Sequence, residues 1–168
     1  YGTDDYTAYG PPAFTLLIVM MFIGGCSGST AGGIKIERVV MLAKQTLAQV
    51  KRSFDHAVVQ VVRMGRRVVH DSVLADVAGF FVIYMACMGI GTFVVASVDD
   101  IPVPTAFGAM LTCLSNMGPG PFHDMANHAD NFESYTAFSK IFFVLAMLLG
   151  RLEFFTLFAL LLPGFWRR

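Results

Sequence analysis

The chain has 168 residues, of which 55% are hydrophobic and only 14% are charged, and its mean hydropathy is +0.62. Because a soluble domain carries about 25% charged residues, this composition excludes a disordered chain, argues against a soluble enzyme and points to a membrane protein. The formal net charge of zero gives no sign of nucleic-acid binding. The chain opens without an initiator methionine or a basic leader, so we expect a fragment of a longer protein.

The first apolar run, at residues 11–23, is too short to span a bilayer as one regular helix, since about 20 residues are needed. It continues into GGCSGSTAGG at residues 24–33, a sequence that helix propensity disfavours. We therefore predict a short helix, an irregular Gly-rich loop and a basic helix from Ile34. Irregular backbone at membrane depth is tolerated only where protein or a water-filled cavity covers it. Residues 24–33 are thus expected to be buried in a bundle or to line a pathway.

Charge is segregated along the chain. Eight of the twelve Lys and Arg residues lie between Lys35 and Asp71, whereas residues 72–139 contain neither type. Acidic residues cluster at 99–133, and the chain ends on Arg167 and Arg168. Under the positive-inside rule, residues 35–71 and the C-terminus face the cytoplasm and residues 99–133 face outward. The length and Val pattern of 35–71 predict a helix followed by a short extended stretch.

Two later apolar runs, 77–98 and 141–163, are long enough to span and run in opposite directions. The apolar run between them is too short, and the chain must enter and leave it on the outer side. A re-entrant helix at 103–115 satisfies this topology, with Pro104 in its first turn and Asn116 at its end. The following sequence, NMGPG at 116–120, predicts an irregular loop.

A short helix followed by a Gly-containing loop is the architecture of an ion selectivity filter. In such a filter, backbone carbonyls replace the hydration shell of a cation, and glycine permits the backbone angles that aim them. The stretch from Asn116 to Gly120 has the x-x-Gly-x-Gly spacing of a potassium filter. The same five residues are also compatible with a surface turn.

The chain contains three motifs in this order: GGCSGSTAGGIK (24–35), SNMGPG (115–120) and GRLEFFTLFALLLPGFW (150–166). Together they closely resemble the membrane subunit of the Trk/Ktr potassium uptake systems, the TrkH-like proteins. The resemblance implies an all-α membrane protein built from helix–pore-helix–helix repeats around a pseudo-fourfold, potassium-channel-like pore. Residues 1–71 would hold the end of the third repeat. Residues 72–168 would hold the fourth repeat, with spans 77–98 and 141–163, pore helix 103–115 and filter 116–120.

The resemblance also implies roles for individual filter residues. Gly118 resembles the central filter glycine of the fourth repeat, and Asn116 and Met117 are expected to offer carbonyl oxygens to potassium. The filter stretch ends with Pro119 and Gly120. Tyr1 and Gly2 resemble the last two filter positions of the third repeat.

The Gly-rich stretch resembles the intramembrane loop that obstructs the pore below the filter in this family. The gate residues implied by it are Gly24, Gly25, Cys26, Ser27, Gly28, Ser29, Thr30, Ala31, Gly32 and Gly33. Arg151 lies inside an apolar span, where an arginine costs about 2.5–3.5 kcal/mol on insertion scales and usually faces the interior. We expect Arg151 to point to the pore beneath the filter and to repel cations while the gate is closed. The alternative is a structural clamp between Arg151 and a carboxylate or carbonyl.

The resemblance further implies the surroundings of the chain. It predicts a multi-pass protein of the bacterial inner membrane, in contact with the lipid bilayer and forming a homodimer, with potassium as its substrate and no cofactor. The basic segment 35–71 suits docking of a cytoplasmic nucleotide-binding regulatory subunit, although a generic positive-inside flank explains it too.

Two other classes of protein remain as alternatives. Gly25-Cys26-Ser27-Gly28 matches the G-x-S-G pattern of rhomboid intramembrane serine proteases. That chemistry needs a histidine base within a neighbouring span, and none of the four histidines lies in an apolar run. A non-conducting membrane scaffold is the other alternative, but its helices would need neither Arg151 nor a Gly loop after a short helix. We therefore predict a transport protein and no enzyme.

Overall fold

The computed structural model describes residues 10–26, 28–29, 32–54, 63–64, 67–118 and 132–152. These ranges are mainly helical. The elements are α1 (Pro11–Ile23), α2 (Ile36–Phe54), β1 (Arg63–Met64), β2 (Arg67–Val68), α3 (Asp71–Asp99), α4 (Val103–Ser115), a 3-10 turn (Phe132–Ser134) and α5 (Ala137–Leu152). The strands β1 and β2 have two residues each and pair antiparallel. The all-α class expected from the sequence is therefore confirmed.

The long apolar helix α3 has 29 residues. At about 1.5 Å per residue this exceeds the ~30 Å thickness of the hydrocarbon core, and α3 is the one helix in the described ranges that is long and apolar enough to cross a membrane. The sequence-predicted span 77–98 lies within it. The helix begins earlier, at Asp71, because an acid in the first turn interacts favourably with the helix dipole. The predicted span 141–163 is helical as far as Leu152, and its remainder lies outside the described residues.

Helix α4 forms the centre of the core and has the bounds that the sequence predicts for the short helix. All residues from Gly108 to Ser115 are buried. It packs against α1, α3 and α5. The buried side chains that share this core include Tyr84, Met88 and Val95 of α3, Met110, Leu111 and Leu114 of α4, and Phe143 and Ala146 of α5.

The basic helix α2 begins at Ile36, so the predicted start at Ile34 was wrong. Gly33 and Lys35 both have left-handed backbone angles, with φ of 85° and 69°, and a right-handed helix cannot include them. Ile34 is instead buried against the main core. Further along, α2 packs on the first turns of α3 through a small cluster of Met41, Leu74 and Val77.

Large apolar side chains are exposed on α1, α2, α3 and α5. They include Leu16 and Met20 of α1, Leu47 and Phe54 of α2, Val82 and Ile90 of α3, and Ile141 and Val144 of α5. Extensive exposed apolar surface is covered by lipid or by further protein in a native assembly. The fold thus presents one short buried helix, α4, surrounded by helices whose outer faces are apolar.

Candidate functional site

The C-terminus of α4 leads directly into the segment predicted to be the filter. Asn116 has left-handed angles, with φ of 50° and ψ of 41°. Its amide donates to the Cys113 carbonyl at 3.3 Å, and the Met117 amide donates to the Thr112 carbonyl at 3.2 Å. This pair of bonds is the Schellman arrangement that ends helices, and asparagine is the residue after glycine that best tolerates the required angles. Asn116 therefore ends the helix, as the sequence predicts.

The C-terminus of α4 carries a partial negative charge, which attracts a cation. The unsatisfied carbonyls at the C-terminus of a helix carry the equivalent of about half a negative charge. None of the residues in α4 is charged, so no side chain of this helix cancels that potential. Residues 116–118 therefore begin next to a partial negative charge at the end of a buried helix.

The Gly-rich loop closes on itself at its base. The Ile34 amide donates to the Phe22 carbonyl at 3.3 Å, and the Ile36 amide donates to the Gly25 carbonyl at 3.1 Å. Gly24 has a φ of 70°, and a Cβ placed on it would come within 2.6 Å of the Gly32 carbonyl oxygen. Both the backbone angle and the close approach require glycine there. The loop is thus a closed turn between α1 and α2.

Burial differs between the base and the tip of this loop. Gly32 and Gly33 are buried, whereas Cys26, Gly28 and Ser29 are exposed in this chain. Gly32 and Gly33 are thus buried as expected, and the expectation that the exposed residues line a pathway stays a prediction. Among the described residues of the loop, Gly32 approaches the end of α4 closely. Ser27, Thr30 and Ala31 lie outside the described residues.

The C-terminal end of the loop contacts the residue that precedes the predicted filter. A Cβ on Gly32 would come within 2.8 Å of the Ser115 carbonyl oxygen and within 3.0 Å of the Asn116 side-chain nitrogen. Only glycine fits at this distance without displacing the Ser115 backbone. The structure thus brings the predicted gate and the base of the predicted filter into direct contact.

Helix α5 reaches the same end of α4 from another direction. A Cβ on Gly150 would overlap the Leu114 carbonyl oxygen and come within 2.9 Å of the Asn116 side-chain nitrogen. That nitrogen donates a hydrogen bond to the Met147 carbonyl at 3.0 Å. The end of α4 is therefore held between one glycine of the loop and one glycine of α5.

Sequence reasoning missed a polar contact between α3 and this end of α4. The hydroxyls of Tyr84 and Ser115 lie 3.0 Å apart, and both residues are fully buried. A buried tyrosine hydroxyl usually has a hydrogen-bond partner. The single tyrosine in the uncharged run 77–98 could therefore have indicated a buried hydrogen bond. Its partner, 31 residues away on another helix, has no signature in the local sequence.

A sequence model of the family described as "TrkH: Cation transport protein" matches residues 1–163. The chain belongs to the TrkH family. The family resemblance expected from the three motifs is confirmed, and the family is described as one of cation transport proteins.

Individual members of the TrkH family give the extent of the match. The Trk system potassium uptake protein TrkH of Escherichia coli K12 is 38% identical over 154 residues, which are 90% of this chain and 30% of that protein. Its namesake in Halomonas elongata is 34% identical over 171 residues, 100% of this chain and 34% of that protein. The crystal structure of the potassium transporter TrkH from Vibrio parahaemolyticus matches with a TM-score of 0.83 at 32% identity, over 99% of this chain and 35% of that one. The chain thus spans about a third of the length of these relatives.

The remaining predicted site residues fall into two groups. Arg151 directly follows Gly150 and has an exposed side chain in this chain, so it lies one residue from the contact between α4 and α5. Its expected role as a positive barrier beneath the filter stays a prediction. Tyr1, Gly2, Pro119 and Gly120 lie outside the described residues.

The basic segment has the predicted helix and short extended stretch; α2 packs on α3, and Met64 of β1 packs against the cluster that they share. The Lys44 side-chain nitrogen donates to the Arg63 carbonyl at 2.8 Å, which connects α2 to β1. The Arg38 guanidinium lies over the Phe80 ring of α3, 4.1 Å from its centroid. Such a cation–π contact contributes about 0.5–2 kcal/mol, depending on desolvation. The segment is therefore folded against the helix bundle along these residues.

Proposed function

We propose that this protein takes up potassium ions across the bacterial inner membrane through a carbonyl-lined selectivity filter. Residues 116–120 form the part of the filter supplied by the fourth repeat, with the carbonyls of Asn116 and Met117 as potassium ligands and Gly118 as the central glycine. Tyr1 and Gly2 close the filter contribution of the third repeat. Potassium is the substrate, and the reaction involves no covalent step and no cofactor.

The observation that carries this proposal is the packing of a Gly-rich loop and α5 around the C-terminus of a short buried helix, in a chain of the TrkH family. A partial negative charge at a helix C-terminus favours a cation. A loop that starts at this end and contains glycine offers backbone carbonyls with little steric hindrance. The relatives in the comparison are named potassium uptake proteins or potassium transporters, which supports potassium as the ion.

The gate in this proposal is the loop 24–33 together with Arg151. The loop base is a closed turn against Ser115, so a displacement of the loop changes the space directly below the predicted filter. Arg151 adds a fixed positive charge near the same place and raises the energy of a cation while the loop is closed. Opening therefore requires the loop and the positive charge to move away from the ion path.

The assembly that we propose is a homodimer with a nucleotide-binding regulatory subunit on the cytoplasmic side. The basic, folded segment formed by α2, β1 and β2 is the candidate docking face. Its net positive charge follows the positive-inside rule and suits an acidic partner surface.

Ion uptake into liposomes tests the transport proposal. The full-length protein, wild type and Gly118→Ser, is reconstituted, and rubidium and sodium uptake are measured. In this chain a Cβ on Gly118 meets nothing within 4 Å, so serine changes the filter without a clash here. We expect the wild type to favour rubidium and the variant to lose that preference.

Gly79→Ser is the matched control, because a Cβ on Gly79 of α3 also meets nothing within 4 Å. It should retain the rubidium preference. If ions move but Gly118→Ser behaves like wild type, the filter does not lie at 116–120. If neither ion moves with the regulatory subunit present, while a potassium channel works in matched vesicles, a non-conducting scaffold replaces the transport proposal.

A further inference from the structure

The hydroxyl pair of Tyr84 and Ser115 joins the middle of α3 to the last residue of α4. The two oxygens are 3.0 Å apart, and both side chains have 0% exposure. Ser115 directly precedes Asn116, where the chain turns left-handed and the proposed filter begins. The bond therefore acts on the residue that fixes where the filter loop starts.

The surroundings of this pair are apolar, which makes the bond hard to replace. The Tyr84 ring stacks on Phe80 with centroids 6.3 Å apart, and Leu111 and Leu114 belong to the same buried cluster. A hydroxyl in such surroundings needs a hydrogen-bond partner, because burying it unpaired is unfavourable. The pair therefore specifies one position of the α4 end relative to α3, which apolar packing alone defines less sharply.

Two other contacts at the end of α4 are made by glycines. Gly32 lies against the Ser115 carbonyl, and Gly150 lies against the Leu114 carbonyl. Both are backbone contacts that limit approach without attracting the helix end. The Tyr84–Ser115 hydroxyl bond is directional and joins this helix end to α3, as the bond from the Asn116 side chain to the Met147 carbonyl joins it to α5. The two bonds together fix the rotation of the last turn and the direction in which Asn116 leaves it.

We propose that Tyr84 is a positioning residue that sets the preference of the filter for potassium over sodium. This inference rests on the proposed function of residues 116–120. A filter discriminates by the number and placement of its carbonyl oxygens around a dehydrated ion. If the base of the loop is free to shift, the oxygens close around the smaller sodium ion and the preference falls.

Removing one hydroxyl from the pair tests the inference. Full-length wild type, Tyr84→Phe, Ser115→Ala and the double variant are reconstituted in liposomes, and the ratio of rubidium to sodium uptake is measured. We expect Tyr84→Phe to lower this ratio about fivefold, the effect of one lost hydrogen bond. Because the hydroxyls act as a unit, the double variant should lose no more than either single variant.

Thr92→Val is the matched control on α3. The Thr92 hydroxyl is also buried, but it donates to the Met88 carbonyl of its own helix at 2.8 Å. This variant should keep the wild-type uptake ratio. Thermal unfolding of each variant in detergent is measured alongside, because a purely structural bond would lower the melting temperature without changing the ratio.

The outcomes separate this inference from the proposed function. If the wild type prefers rubidium and Tyr84→Phe and Ser115→Ala keep that preference, the positioning role is overturned and the transport proposal stands. If the wild type moves neither ion in vesicles where a potassium channel works, the proposed function fails and the inference with it. Should Tyr84→Phe fail to fold, Ser115→Ala alone decides, since it removes the same bond from the smaller side chain.

Discussion

Gly32 of the Gly-rich loop lies directly against Ser115, the last residue of α4. A Cβ on Gly32 would come within 2.8 Å of the Ser115 carbonyl oxygen and 2.9 Å of its carbonyl carbon. Backbone atoms cannot move aside as a flexible side chain can. The predicted gate and the base of the predicted filter therefore share a rigid contact, and a displacement of one affects the other.

Gly32→Ala should destabilise the closed position of the loop. The added methyl group must displace either the loop or the Ser115 backbone, and overpacking of this kind costs about 1–3 kcal/mol. A loss of about 1–2 kcal/mol from the closed state raises the open population by about 5- to 30-fold. We expect increased rubidium leak from liposomes that lack the regulatory subunit.

Gly28→Ala is the comparison for this measurement, since a Cβ on Gly28 meets nothing within 4 Å. It lies in the same loop and should raise the leak much less. Equal leak in Gly28→Ala and Gly32→Ala would show that the contact with Ser115 does not control the gate.

Arg151→Ala should also raise the leak without the regulatory subunit, because it removes a positive charge from the proposed barrier. Arg151→Lys keeps a charge but not the planar guanidinium. It should stay close to wild type if the barrier is electrostatic. A structural clamp predicts the reverse pattern, in which both substitutions lower the melting temperature and neither changes the leak.

Local signals in the sequence were sufficient for the bounds of the short helices. Prolines precede and open α4, and Asn116 ends it, so residues 103–115 could be assigned without tertiary information. The first helix likewise begins at Pro11 and stops at the glycines after Ile23. The error at the start of α2 arose because isoleucine and lysine at 34–36 favour a helix, whereas the loop closure imposes a left-handed angle on Lys35.

The contacts that define the candidate site could not be predicted in this way. The approach of Gly32 to Ser115 and the bond between Tyr84 and Ser115 join residues far apart in the chain. Periodicity reports which face of a helix is apolar, but it does not specify which residue on another helix lies opposite. Sequence reasoning therefore named residues 24–33 and 116–120 as functional segments without placing them in contact.

Gly150→Ala should destabilise the fold, because its methyl group would overlap the Leu114 carbonyl oxygen. Overpacking suggests a loss of about 1–3 kcal/mol, to be measured as a lower melting temperature in detergent. Gly89→Ala is the control, since Gly89 is an exposed helical glycine of α3 with nothing within 4 Å. There alanine should be neutral or stabilise by up to about 1 kcal/mol. Equal melting temperatures for the two variants would show that α4 and α5 do not meet closely at Gly150.

Asn116 contributes a left-handed backbone conformation and a side-chain hydrogen bond, and two substitutions separate these contributions. Asn116→Gly keeps the left-handed angle but loses the bond to the Met147 carbonyl. The loss of this bond should lower the free energy of unfolding by about 0.5–1.5 kcal/mol. Asn116→Ala loses that bond and also places a Cβ at a φ of 50°, which adds about 1–2 kcal/mol. The melting temperature should therefore fall in the order wild type, glycine variant, alanine variant.

Since the alanine variant alone strains the turn into 116–118, its rubidium to sodium uptake ratio should fall further than that of the glycine variant. An alanine variant as stable as the glycine variant would contradict the left-handed turn at the end of α4.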